Sequence, residues 1–370
     1  MSNETLEVVY RVKAEPAALP GRLEALLLEQ TVELPRAALH SAFVRENLVG
    51  RVLATVQLGA TDFRVTLAQP AATTAGDPAQ LLNVLFGNSS LQPDVELEDV
   101  RLPASLVQML GGPRFGQTGL RRLTGVESRA LTASALKPMG LSVTELAELC
   151  RTFSLAGIDL IKDDHGLADH PFCPFAERVQ ACLAATAQAA QTTGRRSLYV
   201  PNLIGTPATV LAQAHLARDL GVKAVMVSPM LIGLPLLIDL VREIGLPVIA
   251  HPAFGGAQRI SPVALLGKLF PLFGADAVIY PNHGGRFSYS AEVCAELAST
   301  LRAPGHGLLA TLPVPAGGMK TANVPDVLRF YGRDTLLLIG GSLLEAPDAA
   351  TLLARSRQFV EAVQSFPYPS

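Results

Sequence analysis

From Ala130 onward, short apolar, β-branched runs alternate with amphipathic stretches eight times, and no other feature restricts the fold more. The runs are "LTASALKP", "GIDLIKDD", "SLYVPNLIG", "KAVMVSPM", "PVIAHPAF", "DAVIYPNHGG", "LLATLPVPAGG" and "TLLLIGGSL". Between them lie segments such as "PATVLAQAHLARDLG" and "APDAATLLARSRQFVEAV", spaced like helices that bury one face. Strands apolar on both faces and separated by helices belong to a parallel sheet covered on both sides. Eight such units in about 240 residues is the size of a (β/α)8 TIM barrel. A doubly wound open sheet is the alternative, and the lack of a G-x-G-x-x-G after the first strand counts against it.

The preceding part reads differently. Strand-like "LEVVYRVKAE", "GRVLATVQLG" and "DFRVTLAQP" surround a helical stretch near "PAQLLNVLFG", the texture of a small α+β, ferredoxin-like domain. The expected domains are residues 1–125 and 126–370, joined near the Gly-rich "GGPRFGQTG". Lys and Arg (30) nearly balance Asp and Glu (32) with no long charge run, which argues against nucleic acid or an anionic membrane as partner. The longest apolar stretch, "MLIGLPLLIDLV", is too short to span a bilayer and contains Asp239. "MSNETLEVVY" lacks the pattern of a signal peptide. The four cysteines show no metal or redox spacing, so a cytoplasmic enzyme is expected.

In a barrel of this kind, polar residues just past each strand gather at the C-terminal mouth, where active sites lie. Those strand ends carry Lys137; Lys162, Asp163, Asp164 and His165; Asn202; Ser228; His251; Asn282, His283 and Arg286; Gly317 and Gly318; and Gly340, Gly341 and Ser342. Three of the seven histidines fall here. Side chains alternate along a strand, so an inward Lys162 shares the site with Asp164 while Asp163 packs toward the helices. That arrangement is either a plain lysine–aspartate ion pair or a metal nest of lysine, aspartate and a third donor. Lys137 is either a rim lysine or a general base. The pairs Gly317–Gly318 and Gly340–Gly341 are either turn glycines or a backbone cradle for a phosphate, which favours a phosphorylated substrate.

Taken together, "YRVKAE", "LLNVLFGNSSL", "EDVRLPASLVQMLGGPRFG", "KPMGLS", "GIDLIKDDHG", "AHPAFGGA", "PNHGG", "LPVPAGGMKTANVPDVLRFYG" and "LLLIGGSL" resemble the ribulose-bisphosphate carboxylase superfamily. The resemblance is to its RuBisCO-like proteins. It implies an N-terminal α+β domain, a (β/α)8 barrel, and a homodimer whose sites are shared between subunits. It also implies Mg2+, or another divalent metal such as Mn2+, with CO2 held as a carbamate on Lys162. On the same basis Asp164 is a metal ligand, Lys137 the enolisation base, His251 and His283 site histidines, and the four glycines a phosphate cradle. An asparagine of the N-terminal domain, Asn83 or Asn88, reaches the partner's site.

Departures from the family pattern are equally informative. His165 stands where the third metal ligand is a glutamate, and an imidazole suits softer divalent ions better than magnesium. Met139 lies where a second lysine is absent, "GGRFSYSAE" has no lysine, and Pro252 replaces a phosphate-binding arginine. These losses argue against carboxylation and for a substrate with one phosphate, with Arg286 available to pair a substrate carboxylate. The leading expectation is metal-assisted enolisation or C–C cleavage, by decarboxylation or hydrolysis, of a singly phosphorylated keto sugar acid. One alternative is a 5-methylthioribulose-1-phosphate isomerase or enolase of methionine salvage, its apolar pocket built from Phe254, Phe287 and Tyr289. The other is a catalytically silent protein that binds a phosphorylated ligand.

Overall fold

The computed structural model describes residues 4–285, 287 and 289–368. Two compact units result, one running to Gly111 and including Gly255–Leu272, the other made of Gly112–Phe254 and the chain from Phe273 on.

In the first unit, β1 (Thr5–Lys13), β2 (Arg51–Gln57), β3 (Asp62–Pro70) and β4 (Val95–Arg101) form an antiparallel sheet in the order β2-β3-β1-β4. Helices Leu19–Glu29 and Pro78–Phe86 fall between β1 and β2 and between β3 and β4. This β-α-β-β-α-β order is the ferredoxin-like arrangement. Val8, Tyr10 and Val12 of β1 are buried beside Val65 and Leu67 of β3, so the alternating pattern fixes the register Tyr10↔Val65. Gly255–Leu272 extends this sheet. Leu97 donates to Arg259 O and accepts from Ser261 N, and Arg259 Nε reaches Val95 O.

The second unit holds eight parallel strands: β5 (Leu131–Leu136), β6 (Leu160–Asp163), β7 (Leu198–Val200), β8 (Val225–Val227), β9 (Val248–Ala250), β10 (Ala277–Pro281), β11 (Leu312–Ala316) and β12 (Leu336–Leu338). Their order is β7-β6-β5-β12-β11-β10-β9-β8, and the bridge Asn202↔Met226 joins the ends, closing a barrel. Ser142 and Glu145 form a reciprocal capping box that starts helix Val143–Leu155 one turn beyond Lys137–Pro138. The barrel interior is filled by Leu131, Leu160, Leu198, Met226, Ile249, Ile279, Leu312 and Leu336, so it is a packed core and not a pore. At the N-terminal end, Asp276 accepts from the backbone N–H groups of Phe115, Gly116 and Val248 at 2.7, 2.6 and 2.9 Å. Among the described residues no helix is long and apolar enough to cross a membrane.

Candidate active site

The pleat decides which strand-end side chains meet. Ala133, Leu160, Val200, Met226, Ile249 and Leu338 belong to the buried interior. Stepping on in twos, which keeps to one face of a strand, brings Lys137, Lys162, Asn202, Ser228, His251 and Gly340 to the mouth. The register Ala135↔Lys162↔Val200 sets Lys162 directly above that interior.

Asp164 is the hub. Its Oδ1 lies 2.8 Å from Lys137 Nζ and 3.2 Å from His165 Nδ1. Burial by itself would raise the carboxyl's pKa, but the His165 and Lys137 hydrogen bonds and the charges of Lys162 and Lys137 hold it well below the usual range. Lys162 is 5% exposed and turns its Nζ to the Asp163 carbonyl at 2.8 Å. Its pKa is lowered to about 8, chiefly by burial, with the Lys137 charge adding and the Asp164 charge opposing. The simple Lys162–Asp164 ion pair is therefore not the arrangement found; Asp164 is bridged by Lys137 and His165.

His251 stacks face to face on His165, ring centroids 4.2 Å apart and planes 12° apart. Ala253 N donates to His251 Nδ1 at 3.1 Å, which assigns the proton to Nε2. Burial first, then the nearby Lys162 charge, lowers its pKa to about 2, so the ring is a neutral N–H donor at the mouth. His283 lies against Phe330 at 4.6 Å, and its Nε2 is buried with no partner among the described residues. Arg286 lies outside the described residues.

The glycine pairs end β11 and β12 as expected. Gly317 and Gly318 take φ of 86° and 68°, the left-handed region that favours glycine. A Cβ built on Gly317 or Gly341 meets nothing within 4 Å, so an anion can approach the backbone there. Ser342 Oγ donates to Met319 O at 3.0 Å and ties the two turns together. A Cβ on Gly285 would come within 2.6 Å of Gly317 O, so the turn after β10 packs directly on this cradle. In the first unit, Asn83 donates to Gln80 Oε1 (3.3 Å) and Asn88 to Glu29 Oε1 (3.0 Å), and both line a polar cavity of about 230 Å3.

The donor set can be tested against a divalent cation. Among the described residues no three His, Cys, Asp or Glu side chains converge. Asp164 and His165 supply two donors, and a buried amine that sheds its proton near pH 8 is chemically able to take up CO2 and supply an oxygen. The residues fit the ion on that condition.

Two residues escaped the sequence reading, Arg178 and Tyr199, both partners of Asp163. Asp163 faces away from the mouth and is held by Arg178 Nε (3.1 Å), Tyr199 OH (2.8 Å) and Asn202 N (3.1 Å). Burial pushes its pKa up, and these donors partly offset the rise. The signal for Arg178 was present: it is a charge set into the buried stripe Phe175, Val179 and Cys182 of helix Phe175–Thr193.

The profile of the ribulose bisphosphate carboxylase large chain, catalytic domain, matches residues 117–253. Ribulose bisphosphate carboxylase-like protein 1 of Rhodopseudomonas palustris is 48% identical over 350 residues, 94% of this chain and 95% of that one. The 5-methylthioribulose-1-phosphate isomerase of Rhodospirillum rubrum is 45% identical, covering 94% of each. The crystal structure of a Rubisco-like protein from Rhodopseudomonas palustris superposes with a TM-score of 0.91 at 44% identity, covering 100% of both chains. The chain thus belongs to the ribulose bisphosphate carboxylase large-chain family, among its RuBisCO-like proteins.

Proposed function

We propose that this chain is a non-carboxylating enzyme that moves a proton beside the carbonyl of a singly phosphorylated keto sugar. The observation that carries the reading is Asp164, bridged by Lys137 and His165 next to the buried Lys162. Lys137 Nζ, acting as the free amine, takes the proton from the carbon next to the ketone and becomes the ammonium that pairs with Asp164. The electron pair moves into the new C=C bond, and the carbonyl oxygen becomes an enediolate oxygen. His251 Nε2–H donates to that oxygen, and the N–H groups of Gly317, Gly318, Gly340 and Gly341 hold the phosphate. Returning the proton to the neighbouring carbon yields the isomer. Asp164, His165 and carbamylated Lys162 would hold a divalent ion, which when bound polarises the carbonyl.

The favoured substrate is a methylthio-pentulose 1-phosphate. Met139, Phe254 and Phe287, on the turns after β5, β9 and β10, are 53%, 63% and 70% exposed and give an apolar lip that suits a thioether better than a carboxylate. The Rhodospirillum rubrum relative is named for such a substrate. A homodimer, with Asn83 or Asn88 lent to the partner's mouth, completes the proposal.

The test is deuterium exchange. 5-Methylthioribulose 1-phosphate is incubated in D2O with Mg2+ or Mn2+ and bicarbonate, and loss of the exchanging proton is followed by NMR. Exchange should vanish on chelation and in Lys162→Ala. Phosphate binding without exchange on any keto-sugar phosphate would leave only the silent ligand-binding reading.

A further inference from the structure

A buried ion pair sits directly behind the mouth and takes no part in the proton transfer. The side chains of Asp163 and Arg178 are both 0% exposed, with Nε and Oδ2 3.1 Å apart. Arg178 Nη1 donates to the carbonyls of Ala168 (3.1 Å) and Cys173 (2.9 Å), while Nη2 is buried with no partner among the described residues. Such a pair is weak evidence for stability. Desolvating two charges opposes their attraction, and apolar replacements of similar volume are often as stable. An unpaired buried donor adds to the cost. What the pair supplies is fixed geometry.

That geometry reaches the mouth by two routes. The Asp163 backbone carbonyl accepts from Lys162 Nζ at 2.8 Å, so locking the Asp163 side chain fixes the anchor of the amine. Asn202, 1% exposed, donates its backbone N–H to Asp163 Oδ2 and its Nδ2 to the carbonyls of His165 and Leu167, each at 3.0 Å. Asn202 thus spans the Asp163 carboxylate and the loop that sets the His165 ring flat on His251.

We propose that Arg178, Tyr199 and Asn202 are positioning residues that act through Asp163 and the loop carbonyls to hold Lys162 and His165 in register, with Asn202 carrying the hold to His165. The inference rests on the site reading above.

The test compares full-length Asn202→Ala, Tyr199→Phe and the apolar double variant Asp163→Leu/Arg178→Met. Protein labelled with 13C-histidine is observed by NMR without metal, and the His165 ring signals are identified by their absence in His165→Gln. Stacked on His251, they carry a ring-current shift. In Asn202→Ala they should move to the position of an unstacked imidazole, while the melting curve stays cooperative and near the wild-type midpoint. Mn2+ affinity, read by electron paramagnetic resonance, should weaken about ten- to a hundredfold in Asn202→Ala and in the double variant. His165 signals unmoved in Asn202→Ala, or Mn2+ affinity within about twofold of wild type, would reduce the network to a loop tie and overturn the proposal. Should the double variant not fold, Tyr199→Phe, which removes a single hydroxyl, decides on the same readouts. Wild-type protein that binds no Mn2+ sinks the metal reading alone, and the ring shift then judges the positioning.

Discussion

Lys162→Met should make the protein more stable and inactive. The buried amine's pKa falls from 10.5 to about 8, with burial the main cause. At about 1.4 kcal/mol per pH unit this is roughly 3 kcal/mol against the charged form. Below pH 8 the amine is charged in both folded and unfolded chains, so the whole cost is present. Between pH 8 and 10.5 the folded protein binds fewer protons than the unfolded chain, and stability rises with pH. Methionine keeps the apolar stem, removes the charge, and loses the bond to Asp163 O, worth about 1 kcal/mol for a neutral donor. The net is a gain of about 2 kcal/mol at pH 7 that shrinks to about zero near pH 9.5. Thermal melts of both proteins in CO2-free buffer from pH 6.5 to 10 measure it. A variant that melts below wild type at pH 7, by a margin constant across pH, would refute the claim that the amine is held at a cost.

Other expectations follow from the same geometry. His251→Ala should lower kcat about a hundredfold or more by removing a neutral N–H donor, with the wild-type kcat–pH profile free of a limb near pH 6.5; a clear limb there that disappears in the variant would contradict the neutral ring. Gly317→Ala, at φ 86°, should strain the turn by about 1 kcal/mol and raise KM and the inhibition constant of inorganic phosphate together; an unchanged phosphate constant would remove Gly317 from the cradle. Leu336→Ala, in the layer paired with Leu131 and far from the mouth, should cost about 2–5 kcal/mol in chemical denaturation while kcat at low temperature is retained.

The barrel was legible because its signal is local and repeated: each strand is a run buried on both faces, and each ends at a polar or glycine-rich turn. Alternation also placed Lys162 and Asp164 on one face and Asp163 on the other. What alternation could not supply was the pairing. Asp164 binds Lys137, which is 27 positions earlier but on the neighbouring strand, because the reach of each side chain decides among several nearby cations. The attachment of Gly255–Leu272 to β4 was equally hidden. It depends on backbone bonds such as Leu97 N to Arg259 O, between residues more than 160 positions apart, and no local composition announces them.

The adjacent aspartates of "KDDH" show how one strand end serves two purposes. Asp164 has the half-buried Lys137 and His165 for partners and is kept ionised at the mouth, where its charge is of use to chemistry. Asp163, one position earlier, meets Arg178, Tyr199 and Asn202 in the barrel wall and cannot turn. A reactive carboxylate needs a neighbour that does not move, because a shift of about 1 Å in a catalytic group is enough to cost a hundredfold in rate. Three residues fixing Asp163 therefore do for the site what a metal ligand alone cannot. They determine where Lys162 and His165 stand before any ion or substrate arrives.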